Sequence, residues 1–325
     1  MIKIGVLGMG RMGNAHVPHL NANPNAKVVA AYDPDPQKAA DAKAKFNLEL
    51  ANSAEELIKR TDIDAIFITS PTYCHIEALK PAFETGKPVF CEKPLCRTEK
   101  QCQEIEKMAQ ESKSVVTIGF VRRYDAAQKA YHEAIVSGKI GTVRDANVDL
   151  SLGVFKRMPG DWFADFDLSG GVVLDMLSHH LDLLIWDFGP VRSVVANATF
   201  ESKYFPLPND FAAAAVTFKS GVVAGINSSW HRSGRNANFM EAFGDDGSVS
   251  FSWGEQKYNF YLPGQPAQII ETGPKQDAYL LQDNAWIDSI LKGTKPVVTL
   301  QDGINAFRFA DAILRAAAEQ TRVEL

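Results

Sequence analysis

The first third of the chain alternates between two hydrophobic rhythms. Short apolar runs recur as "IKIGVLG", "KVVAAYD", "DAIFITS", "PVFCEK" and "SVVTIGF", with few polar positions inside them. Such runs predict strands buried on both faces, because a strand with one wet face would alternate instead. Between them the period lengthens to that of a helix. "SAEELIKR" opens with Ser53 and carries Glu56 three residues on, and "TEKQCQEIEKMAQES" repeats the arrangement with Thr98 and Gln101. Both are capping boxes, which mark helix starts. Strand and helix in this alternation predict parallel strands joined by right-handed crossovers, with helices on both faces of one sheet.

Beyond Arg122 the rhythm changes. A helix over about 126–137 leads into "TVRDANVDLSL", a long strand, and "GGVVLDMLSHHLDLLIWDFG" predicts a buried helix closed by Gly189 and Pro190. Strands follow in "SVVANATF", "FAAAAVTFKSGVVAGINSSWH", "NFMEAFGDDGSVSFSW" and "KYNFYLP", with Ser220-Gly221 and Asp246-Gly247 where hairpin turns belong. A tight turn needing positive φ accounts for the aspartates of "GDDG" without a cation. Two helices, at about 277–292 and 302–320, close the chain. The fold class is α/β: a doubly wound parallel sheet in 1–122, then an α+β domain with a large, open, mostly antiparallel sheet in 123–325.

Composition narrows the function classes. At 325 residues the chain is long for a single core, which suits two domains. A net charge of −5 argues against nucleic acid or an anionic membrane as partner. No apolar run approaches the length of a membrane span, and "MIKIGVLGMG" enters a strand directly, without signal-peptide anatomy. Cys74, Cys91, Cys96 and Cys102 have neither zinc-ribbon nor C-x-x-C spacing, so reduced packing thiols in a cytoplasmic protein are expected, and no metal.

Candidate chemistry begins at "IGVLGMGRMGNAH", where Gly8, Gly10 and Gly13 form G-x-G-x-x-G between the first strand and the first helix. The spacing has a mechanism. Gly8 permits a tight turn, Gly10 lets a pyrophosphate approach the backbone, and Gly13 lets the helix pack close, with its N-terminus facing the anion. The loop with its Arg11 and Met12 is therefore assigned to cofactor binding. Asp33 ends the second strand about twenty residues further on, where a carboxylate accepts from ribose hydroxyls and repels a 2′-phosphate. Pro34, not an arginine, follows it. That combination favours NAD over NADP, in a Rossmann-type domain.

Ligands of such sheets lie outside the carboxyl ends of the strands. Ser70, Pro71 and Thr72 end one of these strands, and Glu92 and Lys93 end the next, so all five are expected near the nicotinamide half of the cofactor. Glu92 would pair with Lys93 or touch the cofactor ribose, and Pro94 stops the strand. In "LDMLSHHLD" Asp175 and His179 stand four apart, hence on one helical face, an arrangement in which a carboxylate orients an imidazole. His180 points elsewhere, to packing or the surface, and Asp182 is placed to help position His179. A satisfied core pair is the competing reading of this helix. Arg122 and Arg123 read equally as active-site groups and as interdomain salt bridges. Trp162, Trp230 and His231 offer flat faces and polar tips suited to sugar rings, although tryptophan is also a common core residue.

"GVLGMGRMG", "TSPTYCHIEALKPAFETGKPVFCEKPL", "GFVRRYD" and "SGGVVLDMLSHHLDLLIW", in order over essentially the whole chain, resemble the Gfo/Idh/MocA oxidoreductases, most of all the inositol 2-dehydrogenase branch. The resemblance implies a Rossmann domain followed by an α/β domain whose open sheet forms an oligomer interface, giving a homodimer or tetramer. It implies hydride transfer between NAD(P) and a sugar or cyclitol carbon, with Lys93, Asp175 and His179 as the catalytic group. His179 takes the hydroxyl proton and Lys93 stabilises charge on that oxygen. An imidazole's ordinary pKa, about 6.5, suits a base at neutral pH. The resemblance places Arg122 by the active site and His75 at the start of a helix, as a capping or cofactor-side group. The family's usual T-P-N reads Ser70-Pro71-Thr72 here, which puts that contact with the cofactor in doubt. Two other activities stay open: an NAD-dependent glycosidase using transient oxidation, and a non-catalytic nucleotide sensor, which should have lost Lys93 or His179.

Overall fold

The five short apolar runs of the first third become β1 (Ile2–Leu7), β2 (Ala26–Tyr32), β4 (Ala65–Ile68), β5 (Val89–Cys91) and β6 (Val116–Ile118). A two-residue strand, β3 (Glu49–Leu50), lies outside the predicted set; both its residues are exposed, and two residues are too few to show a hydrophobic rhythm. All pair in parallel, in the order β3-β2-β1-β4-β5-β6. The computed structural model describes residues 1–153, 161–199, 211–230, 232 and 234–325. Between the strands run α1 (Arg11–Ala22), α2 (Pro36–Phe46), α3 (Ala54–Lys59), α4 (His75–Thr85) and α5 (Glu99–Glu111). Both predicted N-caps form, each with a shifted return bond. Ser53 Oγ accepts from the Glu56 amide at 3.0 Å and Thr98 Oγ1 from the Gln101 amide at 3.3 Å. The returning arms land one residue earlier than expected, on the amides of Asn52 and Arg97.

Strand order changes direction between β1 and β4, so the loops after these two strands diverge and leave a crevice at their carboxyl ends. The core beneath is aromatic. Phe67 and Phe90 stack at 4.1 Å, and Trp286 meets both edge-on.

The second sheet comprises nine strands. The chain enters it through α6 (Ala126–Val136) and β7 (Val143–Ser151), and a short α7 (Phe166–Ser169) precedes α8 (Ser178–Phe188). The remaining strands are β8 (Val191–Thr199), β9 (Phe211–Phe218), β10 (Val223–Ser229), β11 (Ala237–Gly244), β12 (Ser248–Ser252), β13 (Lys257–Tyr261), β14 (Gln268–Glu271) and β15 (Val323–Glu324). Their order is β14-β13-β12-β11-β7-β10-β9-β8-β15, antiparallel except where β7 meets β10. Ala212, Val216, Phe218, Ala224 and Ile226 face inward and are buried, whereas Val195, Val223, Phe243 and Ile269 remain 36–58% exposed.

Three expectations need correction. The segment read as one buried helix opens with a π-helical turn, Val172–Met176, and bends by 42° against α8. Second, Gly247 does not take positive φ; Asp245 pairs with Arg144 at 2.7 Å, which accounts for one of the "GDDG" aspartates.

The third concerns the boundary. By contacts the chain divides into Met1–Val121 with Asp277–Ile304, and Arg122–Gln276 with Asn305–Leu325. A single break at 122/123 misplaces α9 (Ala278–Lys292), which packs on α1 and puts Trp286 and Ile287 into the first core. An apolar helix stripe does not say which core it covers. The last helix, α10 (Leu300–Glu319), follows. Among the described residues no single helix is long and apolar enough to cross a membrane.

Candidate active site

The glycine loop follows β1 directly and is tied to both neighbours. The Gly8 amide donates to the Tyr32 carbonyl at 2.8 Å, and Thr69 Oγ1 donates to the Gly8 carbonyl at 2.6 Å. Gly8 has φ +95°, and a Cβ there would lie 2.7 Å from the Ser70 nitrogen. At Gly13 a Cβ would overlap the Gly8 carbonyl oxygen, whereas at Gly10 it would meet nothing within 4 Å. The three glycines thus divide as the spacing predicts: two serve the protein's own packing, and Gly10 leaves space open at the helix N-terminus. Arg11 is exposed and Met12 half-buried beside it.

Asp33, after β2, accepts from the Met9 amide at 2.7 Å and the Asp35 amide at 2.9 Å. Its carboxylate is therefore fixed against the glycine loop, with lone pairs remaining for a diol. Across the crevice, Ser70 Oγ is buried without a hydrogen-bond partner. A buried hydroxyl without a partner, an open approach at Gly10 and a fixed carboxylate at Asp33 all suit a dinucleotide.

His75 bridges the ends of β4 and β5. Its Nε2 lies 2.9 Å from the Ser70 carbonyl and its Nδ1 2.9 Å from that of Pro94. Burial pushes its pKa down, so the neutral ring donates to one carbonyl at a time. It braces the two loops, with Pro71 half-buried and Thr72 buried between them.

Lys93 is half-buried at the end of β5, and the Lys93–Pro94 peptide is cis. Glu92 departs from its expected place at the cofactor. It is 5% exposed and turned inward, its Oε2 accepting from the Lys93 amide at 3.1 Å. Its Oε1 stands 3.1 Å from Nε2 of His16, a residue the sequence reading did not single out. His16 Nδ1 in turn lies 2.8 Å from Asp283 Oδ2 on α9. Burial works against a charged imidazole here, but hydrogen bonds to Asp283 and Glu92, and their charges, outweigh it and raise His16 to about 9. Burial also pushes the Asp283 carboxyl up, against the pull of His16. The shared proton rests on His16, which faces two carboxylates. Ligand atoms of His16, His19 and Asp283 lie within 4.8 Å of one another. Both His16 nitrogens are already at hydrogen-bond distance from carboxylates, so the cluster reads as an ion-paired network rather than a metal site.

In the second unit, Asp175 is buried within the π turn and His179 is half-buried on the first turn of α8. A π turn holds more residues than an α turn. Four positions across this junction therefore span close to one circuit. His180 is buried, Nε2 against Asn238 Oδ1 at 3.1 Å. Burial, with the Arg122 charge, pushes it well below its ordinary pKa, so it is a neutral core group.

Asp182 accepts from Arg123 in a buried two-pronged pair, 2.6 and 2.8 Å, inside the same unit. Arg122 lies over the Trp253 ring at 3.5 Å. Trp162 is half-buried and stacks on Phe163 at 3.8 Å. Trp230 is 3% exposed, and its indole N–H donates to Met176 Sδ at 2.9 Å, a core position rather than an open aromatic wall. His231 lies outside the described residues.

Comparison with known proteins divides the chain once, so α9 falls with the C-terminal part. Residues 2–120 match the oxidoreductase family with an NAD-binding Rossmann fold, and residues 132–325 match its C-terminal alpha/beta domain. The inositol 2-dehydrogenase of Rhizobium meliloti (strain 1021) is 27% identical over 337 residues, spanning 100% of this chain and 99% of that protein. The myo-inositol 2-dehydrogenase of Thermotoga maritima is 28% identical, over 100% of this chain and 98% of that protein. The crystal structure of aldose-aldose oxidoreductase from Caulobacter crescentus shares the fold, with a TM-score of 0.89 over 100% of this chain and 99% of its own at 23% identity.

Proposed function

This chain belongs to the Gfo/Idh/MocA oxidoreductase family, and from that membership we propose that it oxidises a secondary alcohol of a cyclitol or sugar with NAD. Full-length similarity to two inositol 2-dehydrogenases supports an inositol-like polyol as the substrate class. The observation that carries the reading is the division of labour in the glycine loop, with Gly10 open while Gly8 and Gly13 are packed, and a lysine at the end of β5, two strands along the same sheet.

Bound NAD supplies the hydride acceptor. The chain's own residues handle the proton and the charge. His179 accepts the proton from the substrate hydroxyl as the C–H bond breaks, and Asp175 orients the ring and raises its basicity. Lys93 donates a hydrogen bond to the same oxygen, stabilising negative charge as it develops. In reverse, His179 returns the proton to a ketone oxygen that Lys93 polarises. Asp33 favours NAD, because a 2′-phosphate would stand against a carboxylate already fixed on the Met9 amide. The exposed face of the nine-stranded sheet supports a homo-oligomer, since Val195, Val223, Phe243 and Ile269 lie open on it. Four free thiols are consistent with a cytoplasmic enzyme.

Deuterium tracing tests the reaction. With inositol deuterated on its ring carbons and NAD, the reading predicts deuterium at the nicotinamide C4 of the product, seen by proton NMR. Inositol converted without label transfer would contradict hydride transfer from carbon.

A further inference from the structure

His16 is fully buried on α1, yet both its ring nitrogens face acids: Nε2 is 3.1 Å from Glu92 Oε1, and Nδ1 is 2.8 and 3.0 Å from the Asp283 carboxylate. Two carboxylate acceptors are satisfied together only by a ring protonated on both nitrogens. The ring is caged by Phe67 of β4 at 4.9 Å, Phe90 of β5 at 5.6 Å and Tyr279 of α9 at 5.4 Å. Other titratable groups near this cluster include His19 of α1 and Asp277 at the start of α9, 3.3 Å apart, and His75 and Cys91, both of which feel the Glu92 charge.

The network has a direction. Asp283 orients His16, His16 holds one oxygen of Glu92, and the other oxygen of Glu92 holds the Lys93 backbone amide. The Glu92 carboxylate is also confined from the far side, where a Cβ on Gly119 would come within 2.9 Å of it. A carboxylate without this cation would be buried beside aromatic rings and would lose its reason to stay. The chain of contacts therefore ends on the backbone of the residue assigned to the chemistry.

We infer that His16 is a positioning residue for Lys93: as a fixed imidazolium it locks Glu92, and Glu92 locks the peptide from which the Lys93 side chain departs. This rests on the assignment of Lys93 as the group that polarises the reacting oxygen. A core ion pair with no link to the site is the alternative, and it predicts loss of stability alone.

The test uses H16N, which keeps one side of the hydrogen bonding and removes the charge, with E92Q beside it. Steady-state kinetics should show kcat lowered about 10- to 100-fold in H16N, with KM for NAD and polyol little changed. The H16N/E92Q double variant should be no slower than the slower single. Hydrogen exchange followed by NMR reads the clamp without any turnover. The Lys93 amide should exchange about tenfold faster in H16N, while amides of β1 keep their wild-type protection. Should H16N fail to fold, E92Q alone is read the same way.

A variant that keeps wild-type kcat and wild-type Lys93 exchange overturns the inference, as does faster exchange spread equally over Lys93 and β1. If wild type turns over no polyol, the functional reading fails, and Lys93 exchange still decides the role of His16.

Discussion

The Cα of Gly13 rests against the Gly8 carbonyl so closely that an added Cβ would overlap the oxygen, while a Cβ at Gly10 would meet nothing within 4 Å. One motif therefore holds two kinds of glycine. Replacing Gly13 by Ala must push α1 away from the loop, at a cost of about 3 kcal/mol or more, seen as a lower urea midpoint. Replacing Gly10 by Ala should leave that midpoint near wild type yet weaken NADH binding about tenfold, measured by fluorescence titration.

Asp33 should set cofactor choice. The D33S variant removes the charge that would oppose a 2′-phosphate. It should narrow the preference for NAD over NADP by about tenfold or more in competitive binding. Some stability goes with it, because the Met9 amide loses its acceptor.

Arg123 and Asp182 form an ion pair with side chains 5% and 1% exposed. Removing one partner leaves the other charged and buried. D182N should therefore cost about 3–5 kcal/mol in chemical denaturation. With R123M added, the loss should be smaller than the sum of the two single losses.

The charge on His16 gives stability a pH signature. Its pKa is about 9 when folded against 6.5 for the free side chain. Because the folded value is the higher one, the contribution is complete below about pH 6.5 and is lost as pH rises through about 9. The full difference is on the order of 3 kcal/mol. The gap in thermal midpoint between wild type and H16N should be widest near pH 6 and should narrow steadily towards pH 9. A gap independent of pH would show that His16 is neutral.

The sequence made the sheet legible because buried parallel strands are short apolar runs, and the glycine loop legible because its spacing is itself the mechanism. The His16 network was not legible. Its partners lie 76 and 267 positions away, and one of them arrives on α9, a helix whose stripe does not name its core. The buried pair of Asp182 with Arg123 was hidden for a related reason: 59 positions separate them, so no local pattern links the two. The π turn before α8 leaves no mark in hydrophobic periodicity, since four of its five residues are buried.

In the proposed reaction Lys93 and His179 convert a bound polyol and NAD to ketone and NADH. The most direct measurement is NADH absorbance with NAD and a panel of myo-inositol, scyllo-inositol, glucose, galactose and xylose, run on wild type, K93A and H179A. Wild type should turn over at least one polyol, and each variant should be slower by at least about 100-fold, with NADH still bound. Wild-type rates retained in K93A and H179A, or tight NADH binding with no polyol oxidised, would contradict that reaction.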